Sequence, residues 1–478
     1  MKTKIKNIFK GGLGQLTIPI IAICLLVLFN LLRDPTFFSI GITHNNDGNI
    51  VLAGNLISII NAASELAVLA MGMTLVTAAC GGQDISVGAA AAIAGATFVK
   101  VVKSGSGITG FSVVLAFLVA CIVAMIFGAF NGTLVSVFKI QPMIATLILF
   151  TCGRSIAYWI NGGASVPVDS PIIKGIGSFI PGIPIPTPVL IVIAVAIIFK
   201  LVFHFTSLEL FTQSVGINGS ASRLNGINAT FIRLLSFIIL GLCVAVAGVI
   251  GVSRLGLINH ETLLIDVEMD AILAVAIGGN NLGGGKFKLA GSILGAYVIH
   301  MLTVTLYAMK VSSTDVKAYK AIVIIILVVI GSPVIKNLVN KIRRKLDALS
   351  VRGKSIVAFV FGIAALQHGL TALALCWLPI VYPAVIYTVL GIAFAVFTLS
   401  MIKKVKKEQP EDIPSKAKLG KVFAIAGIVT SVLGLVAAVI ITSTVWKKAK
   451  ESISDPLNNS IESSYTAMID ERSPIDYE

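Results

Sequence analysis

Charge is scarce in this chain. Of its 478 residues only 12% are charged and 56% are hydrophobic, whereas about a quarter of a soluble domain is charged. So little charge excludes the polar coat that a water-soluble protein of this length needs. Lipid is the simplest solvent for such a chain. Its 44 glycines suit a bundle of closely packed transmembrane helices.

Metal-binding and disulfide patterns are also missing. The six cysteines lie in or beside apolar segments without a CxxC pair, and the five histidines are scattered without an HExxH spacing. Isolated cysteines of this kind behave as small apolar helix residues. The sequence therefore predicts no metal, no cofactor and no catalytic residues.

The charge that is present is mostly positive. Lys and Arg number 37 against 22 Asp and Glu, a formal net charge of +15. The cations lie mostly in short loops between apolar runs, and no basic stripe is interleaved with aromatic residues. The excess therefore indicates membrane topology, with lipid and not nucleic acid as the surrounding partner.

Apolar runs predict an all-α polytopic membrane protein, since ~20 apolar residues cross the hydrocarbon as a helix. A ten-span core is predicted at 16–32, 54–79, 86–103, 111–138, 143–161, 188–205, 232–252, 269–280, 289–308 and 320–336. Three more spans are predicted at 355–376, 379–402 and 421–445. The run 269–280 is too short to cross alone, which indicates half of a broken helix or a span that begins earlier.

Loop charges predict the orientation. If the lysine-rich N-terminus is cytoplasmic, the loops after even-numbered spans are cytoplasmic too, and they hold most of the cations. Lys310, Lys317 and Lys320 are the largest exception. No small-x-small cleavage site follows the first run, which indicates an uncleaved helix. A thirteenth span places the C-terminal tail outside.

The chain therefore divides into four predicted regions. Residues 1–340 form the core and 341–354 a basic cytoplasmic linker. Residues 355–445 form an accessory three-helix membrane segment, and 446–478 an acidic polar tail.

The first motif is a glycine-rich break between two apolar runs. Gly81 and Gly82 permit a backbone break, Asp84 or Ser86 is placed to cap the next helix, and Gly88 opens a small-residue run. A carboxylate between membrane-embedded runs is costly and is usually functional. A plain loop followed by a capped helix explains the same residues.

The second motif, Gly278-Gly279-Asn280-Asn281, precedes three more glycines and a lysine. A phosphate-binding loop would need Gly at Asn280 and Ser or Thr at Phe287, so the sequence predicts no nucleotide site. Both motifs join an apolar run, a Gly-Gly break and a small-residue helix, which favours an internal inverted repeat with broken helices. Two such breaks can also arise by chance.

The third motif is a polar loop at 216–227, predicted to be cytoplasmic. A short helix near its centre would dock on a soluble partner, and the alternative is an ordinary connecting loop. Its candidate contact residues are Gly216, Asn218, Ala221, Ser222, Arg223 and Gly226.

In this order, the motifs resemble the permease family of ribose, galactofuranose and other simple-sugar ABC importers. The resemblance rests on residues 69–76, 81–88, 131–132, 141–142, 144–147, 216–227, 268–279 and 291–295. The family usually has Leu at Ile85 and paired alanines where this chain has Ala221-Ser222. Residues 355–478 do not resemble the family core.

The resemblance implies a transport permease and not an enzyme, with ATP hydrolysed on a separate ATPase subunit that contacts 216–227. It also implies an extracellular solute-binding protein and a second permease chain, identical or a paralogue. The sequence places both glycine-rich breaks as translocation-path candidates, with helix capping and packing as the alternative. The proline-rich loop 162–187 is a candidate contact for the binding protein or a stiff linker.

Three rival functions stay open at this point. The same machinery could carry nucleosides, branched-chain amino acids or another small polar solute. An ion-coupled secondary transporter would need buried charged pairs, and the sequence offers only Glu65 and Arg154, without evident partners. A membrane scaffold without transport is the third.

Overall fold

The computed structural model of the protein divides into two compact units, Met1–Ile335 and Lys336–Glu478. The residues that it describes are 13–44, 50–105, 107–168, 170–180, 183–331, 341–342, 344–377, 382–409 and 413–441. Within these ranges the chain is mostly helical, with two short strand pairs. The predicted all-α polytopic fold is confirmed, whereas the predicted tail 446–478 lies outside the described residues.

The first unit contains thirteen helices in its described part. They are α1 Leu13–Arg33, α2 Asn55–Cys80, α3 Val87–Lys103, α4 Gly110–Ser136, α5 Pro142–Asn161, α6 Pro171–Gly177, α7 Thr187–Phe205, α8 Leu208–Ile217, α9 Gly219–Leu224, α10 Ala229–Leu255, α11 Val267–Ile277, α12 Leu289–Ala308 and α13 Ser313–Gly331. α2 and α10 are the most buried of the long helices. Both are largely apolar around most of their circumference, as suits a helix surrounded by protein.

Two antiparallel strand pairs lie at one end of this unit. β1 (Gly41–His44) pairs with β2 (Ile50–Ala53), and β3 (Val166–Pro167) pairs with β4 (Leu257–Ile258). The amide of Leu52 donates to the carbonyl of Pro184 (3.3 Å), which ties the two regions together. We call this end, formed by the described residues within 41–53, 162–186 and 256–266, the hairpin end.

Ten helices in the described residues are long and apolar enough to cross a membrane: α1, α2, α4, α5, α7, α10, α12 and three in the second unit. The other three predicted spans are helical but fall short of that standard. α3 has 17 residues and α11 only 11, while α13 carries Asp315, Lys317 and Lys320. The short segment at 269–280 is thus a half-length helix.

The second unit is a three-helix bundle, formed by α14 (Val351–Ala374), α15 (Tyr382–Glu408) and α16 (Ser415–Ile441). Ser350 caps α14 by accepting a hydrogen bond from the amide of Gly353 (3.2 Å), so the helix begins inside the predicted linker 341–354. Small buried residues recur every seven positions along α14 and α16: Ala358, Ala365 and Ala372, and Ala417, Ala424, Ser431 and Ala438. This spacing keeps one narrow face of each helix against its neighbour.

Candidate functional site

The first glycine-rich break follows α2. Gly81 ends the helix in the left-handed conformation (φ 63°), and its amide donates to the carbonyl of Thr77 at 3.0 Å. A Cβ at this position would lie 2.7 Å from the carbonyl oxygen of Gly283, so glycine is required both for the turn and for the close approach. The chain then leaves α2 without a side chain in the way.

From Gly82 the chain runs beside α5. A Cβ on Gly82 would lie 2.7 Å from the ring of Pro142, the amide of Ile85 donates to Oγ1 of Thr146 (3.1 Å), and Gly153 packs against Ala89. The distance from Pro142 to Gly153 is roughly 16 Å at the rise of an α-helix. α3 therefore begins about halfway along α5 and not at its end.

Asp84 and Ser86 form a buried polar network within this segment. Oδ1 of Asp84 accepts hydrogen bonds from the amide (2.7 Å) and the hydroxyl (2.6 Å) of Ser86. Nδ2 of Asn131 donates to Oγ of Ser86 at 2.9 Å and to Oδ2 of Asp84 at 3.3 Å. The capping prediction was wrong: Ser86 is the N-cap residue of α3, but no side chain hydrogen-bonds to the first turn. The network instead holds the extended segment to α4.

The second break follows α11 in the same manner. Oδ1 of Asn280 accepts from the amide of Lys288 (2.7 Å), while its Nδ2 donates to Oγ of Ser292 (2.8 Å). The Ser292 hydroxyl is also 2.6 Å from Oγ1 of Thr74 on α2. Asn281 closes the turn through the amide of Gly283 (3.1 Å). The glycine-rich loop is therefore an ordered connection from α11 to α12.

The two breaks lie against each other at the end of α2. Nε2 of Gln83 donates to the carbonyl of Leu282 (3.1 Å), and the amide of Gly285 donates to the carbonyl of Ala78 (2.9 Å). The last carbonyls of a helix lack intrahelical donors. The second break supplies a donor, the amide of Gly285, to one of these carbonyls. We call this end, formed by residues 78–86, 216–227 and 278–288, the glycine end.

The two helices that follow breaks or loops at membrane depth, α3 and the half-length α11, begin against each other and run in opposite directions. A Cβ on Gly88, in the first turn of α3, would meet Oε2 of Glu268 and the carbonyl of Leu264, at the start of α11. α3 then runs towards the hairpin end, where Lys103 lies near Asn161 and Val166. α11 runs towards the glycine end, where Gly278 packs on Gly291. Two helices that begin at one point and run in opposite directions are what an inverted repeat would produce, and the repeat itself stays a prediction.

Arg154 lies beside this meeting point. Its Nη1 donates to the carbonyls of His260 (2.8 Å) and Glu261 (3.0 Å), which fixes the loop that precedes α11. Glu268 is 4% exposed, and its Oε2 has no hydrogen-bond partner among the described residues. Sequence reasoning gave Glu268 no role of its own, although an acid between apolar residues is the signal that would have singled it out.

The loop 216–227 contains the expected short helix, α9. Oδ1 of Asn218 caps it by accepting from the amides of Ser220 (3.1 Å) and Ala221 (3.0 Å). Ser222 is buried, while Arg223 donates to Oγ1 of Thr230 at 3.3 Å from an exposed position. Leu224 is 91% exposed. This exposed apolar side chain at the tip of the loop was not among the predicted residues.

This loop is attached to the end of α2. Gly216 packs directly on the carbonyl of Ala78, leaving no room for a Cβ. Nε of Arg233, just after the loop, donates to the carbonyl of Ala79 at 3.3 Å. The structure therefore brings the three predicted motifs together around the last turn of α2, whereas Arg223 and Gly226 lie away from it.

Two further expectations concern charge and metals. Glu65 is paired: Nη1 of Arg254 lies 3.1 Å from its Oε2, a partner that sequence reasoning missed. Within the described residues, no three His, Cys, Asp or Glu side chains gather where they could hold a metal ion. The candidate site is therefore built from closely packed helices, helix breaks and the loops that join them.

Comparison with known proteins agrees with this geometry. The family model described as the permease component of branched-chain amino acid transport systems matches residues 55–331. The galactofuranose transporter permease protein of Escherichia coli (strain K12) is 36% identical over 338 residues, which is 70% of this chain and 93% of that protein. No solved structure matches the chain.

Two other relatives have similar coverage. The fructose import permease protein of Bifidobacterium longum (strain NCC 2705) is 35% identical over 350 residues, 72% of this chain and 95% of that protein. The ribose import permease protein of Escherichia coli (strain K12) is 32% identical over 320 residues, 66% of this chain and 92% of that protein. The chain is therefore a multi-pass membrane protein and a transport permease, a member of the family that these import permeases share.

Proposed function

We propose that this chain forms the translocation path of an ATP-driven importer for a simple sugar. The names of the relatives support the cargo class, since those compared above carry galactofuranose, fructose or ribose in their names. One observation carries the mechanism: two breaks and a surface loop, far apart in sequence, meet around Ala78. The path-forming role of the breaks is part of the proposal.

ATP hydrolysis takes place on a separate subunit in this proposal. That ATPase binds α8 and α9, with Arg223 and the exposed Leu224 as contacts. Because Gly216 packs on α2 without an intervening side chain, a shift of the loop moves the end of α2 and both breaks with it. The ATPase then biases the permease between two states by binding them with different affinities.

The remaining partners follow from the same model of import. An extracellular solute-binding protein delivers the sugar to the hairpin end, where the described part of 162–187 includes β3 and α6. A second permease chain, identical or a paralogue, completes the path. Nucleic acid has no part in this function.

The proposed orientation places the N-terminus in the cytoplasm of a bacterium, with the glycine end on the cytoplasmic side of its plasma membrane. The basic residues in the loops there support it, among them Lys139, Arg223, Arg233, Lys286 and Lys288. With thirteen crossings the acidic tail lies outside. Cysteines introduced at 455–478 should react with a membrane-impermeant reagent in intact cells. Reaction only after lysis would contradict this count.

The function is tested by reconstitution. The permease would be purified with the ATPase and binding protein encoded beside it and placed in liposomes. Uptake of labelled galactofuranose, fructose, ribose, a nucleoside and a branched-chain amino acid is then measured. ATP-dependent uptake of one sugar is expected, and none with an ATPase variant that cannot hydrolyse ATP.

Two outcomes would contradict different parts of the proposal. ATP-dependent uptake of the nucleoside or amino acid alone would support the ATP-driven importer but contradict a simple sugar as its cargo. Uptake without ATPase, driven by a proton or sodium gradient, would instead support a secondary transporter, for which the Glu65–Arg254 pair offers charged groups.

A further inference from the structure

A cluster of polar side chains, most of them ionisable, lies in the half of the first unit nearer the hairpin end, apart from the glycine end. Five helices contribute to it, and the coupling mechanism above uses none of its members. The cluster consists of Asn61 and Glu65 on α2, Arg254 on α10, Asp270 on α11, His300 on α12 and Lys320 on α13. We call it the polar cluster.

Arg254 organises one side of the cluster. Its Nη1 lies 3.1 Å from Oε2 of Glu65, and its Nη2 donates to the carbonyl (2.8 Å) and to Oδ1 (3.2 Å) of Asn61. Its Nε is buried and makes no hydrogen bond within the part of the chain that the structure describes. A guanidinium with an unused donor is placed to bind an additional acceptor.

Lys320 and Asp270 form the other side. Nζ of Lys320 lies 2.8 Å from both carboxylate oxygens of Asp270, and the two side chains are 19% and 21% exposed. The helix that carries His300, α12, packs against both α2, which carries Glu65, and α13, which carries Lys320. His300 lies about 12 Å and Lys320 about 10.5 Å along their helices from the helix ends that meet at the connecting turn.

The charges of the cluster balance. Two cations face two carboxylates, so the cluster carries no net formal charge with a neutral His300. Buried ion pairs contribute little net stability compared with apolar side chains, and ionisable groups inside a membrane protein usually serve function. A neutral cluster rich in donors and acceptors suits an uncharged polyhydroxylated ligand better than an ion.

We propose that the polar cluster binds the sugar on its way from the hairpin end, with Arg254 and Lys320 donating to hydroxyl oxygens and Glu65 and Asp270 accepting from hydroxyl hydrogens. This inference rests on the proposed function. The side chains of Arg254 and Glu65 are 27% and 11% exposed, so both are partly accessible from outside the helix bundle. Its pairs would open to admit the ligand and close after it leaves.

The test replaces the pair by uncharged side chains in the full reconstituted importer. Asp270→Asn with Lys320→Met should lower ATP-dependent uptake of the transported sugar at least tenfold, while ATPase copurification and stimulation of ATP hydrolysis by the binding protein persist. The matched control is Asp347→Asn with Lys404→Met, an ion pair of the second unit whose side chains are 47% and 32% exposed, so uptake should be unchanged.

Each other outcome has a defined meaning. Uptake by the Asp270/Lys320 variant within twofold of the control would overturn the site. A parallel loss of uptake and ATP hydrolysis in an intact complex would assign the pair to conformational coupling, which also overturns it. If wild type imports no sugar, the proposed function itself fails.

If the double variant does not assemble, Lys320→Arg decides the matter. Arginine keeps the charge but has a different donor geometry. The ratio of uptake rates for two transported sugars should then change at least threefold in an assembled complex. An unchanged ratio would contradict direct contact with the sugar.

Discussion

The two units of this protein pack helices by different means. In the first unit, glycines bring backbones together at irregular positions, and buried polar side chains such as Asp84, Asn131 and Asn280 hydrogen-bond between the helices and loops. In the second unit, small residues repeat every seven positions along α14 and α16. Regular small-residue packing makes a uniform bundle, whereas broken helices with polar connections provide places that can move.

The relatives draw the same division. They match over 92% to 95% of their own length but only 66% to 72% of this chain, and the family model ends at residue 331. The described helices of the second unit, from Val351 to Ile441, therefore lie beyond the family model. We therefore assign the proposed transport machinery to the first unit, and expect changes there to affect uptake more than matched changes in the second unit.

The largest effect is expected from a matched pair of glycine substitutions. A Cβ on Gly278 would lie 2.5 Å from the carbonyl carbon of Gly291, and one on Gly362 would lie 2.6 Å from the carbonyl oxygen of Gly420. Gly278→Val should lower ATP-dependent uptake by roughly 100-fold, because a displacement of about 1 Å in working machinery has that effect. Gly362→Val should leave uptake within about twofold, since helix packing in the second unit is not part of the path.

Insertion of both variants is checked by membrane fractionation before uptake is compared. An equal loss of uptake from both would show that the second unit takes part in transport. That result would remove the contrast drawn above.

A charge reversal in each unit comes next. Arg223→Glu on α9 should reduce copurification of the ATPase at least ~10-fold, which corresponds to about 1.4 kcal/mol of binding free energy. The control is Lys403→Glu on α15, an exposed lysine of the second unit, which should copurify normally. Normal copurification with Arg223→Glu would remove the role assigned to α9.

A smaller effect is expected from removing the second unit altogether. A chain ending at residue 340 keeps the whole region that the family model matches, so its ATP-dependent uptake should stay within about threefold of full length once expression is equalised. Loss of uptake by an inserted, ATPase-bound truncation would show that the extension belongs to the transport mechanism.

The smallest effect concerns two buried serines. Oγ of Ser86 bonds with Asp84 (2.6 Å) and Asn131 (2.9 Å), whereas Oγ of Ser431 is buried without a hydrogen-bond partner among the described residues. Ser86→Ala should destabilise the protein by about 1–3 kcal/mol, because Asp84 and Asn131 each lose one buried hydrogen-bond partner. Ser431→Ala should be neutral or stabilising, and thermal unfolding of the purified protein compares them. A larger loss with Ser431→Ala would invalidate the contrast between polar and small-residue packing.

The sequence by itself determined the class of the molecule. Long apolar runs require helices in lipid because no other unclosed structure satisfies its backbone there, and glycine pairs mark where helices break because other residues resist a left-handed turn. Every predicted span overlaps a helix, and the short run at 269–280 is a short helix. These are local properties, so the chain's own residues determine them.

Only the tertiary structure decided which of these residues meet. Nothing in the spacing shows that Gly216, Gly285 and Arg233 all reach the carbonyls of Ala78 and Ala79 in the last turn of α2, or that Glu65 pairs with Arg254. Asp84 was expected to cap a helix and instead bonds to Ser86 and Asn131. Such contacts join residues distant in sequence, and they depend on how helices of known position pack against one another, which no local pattern records.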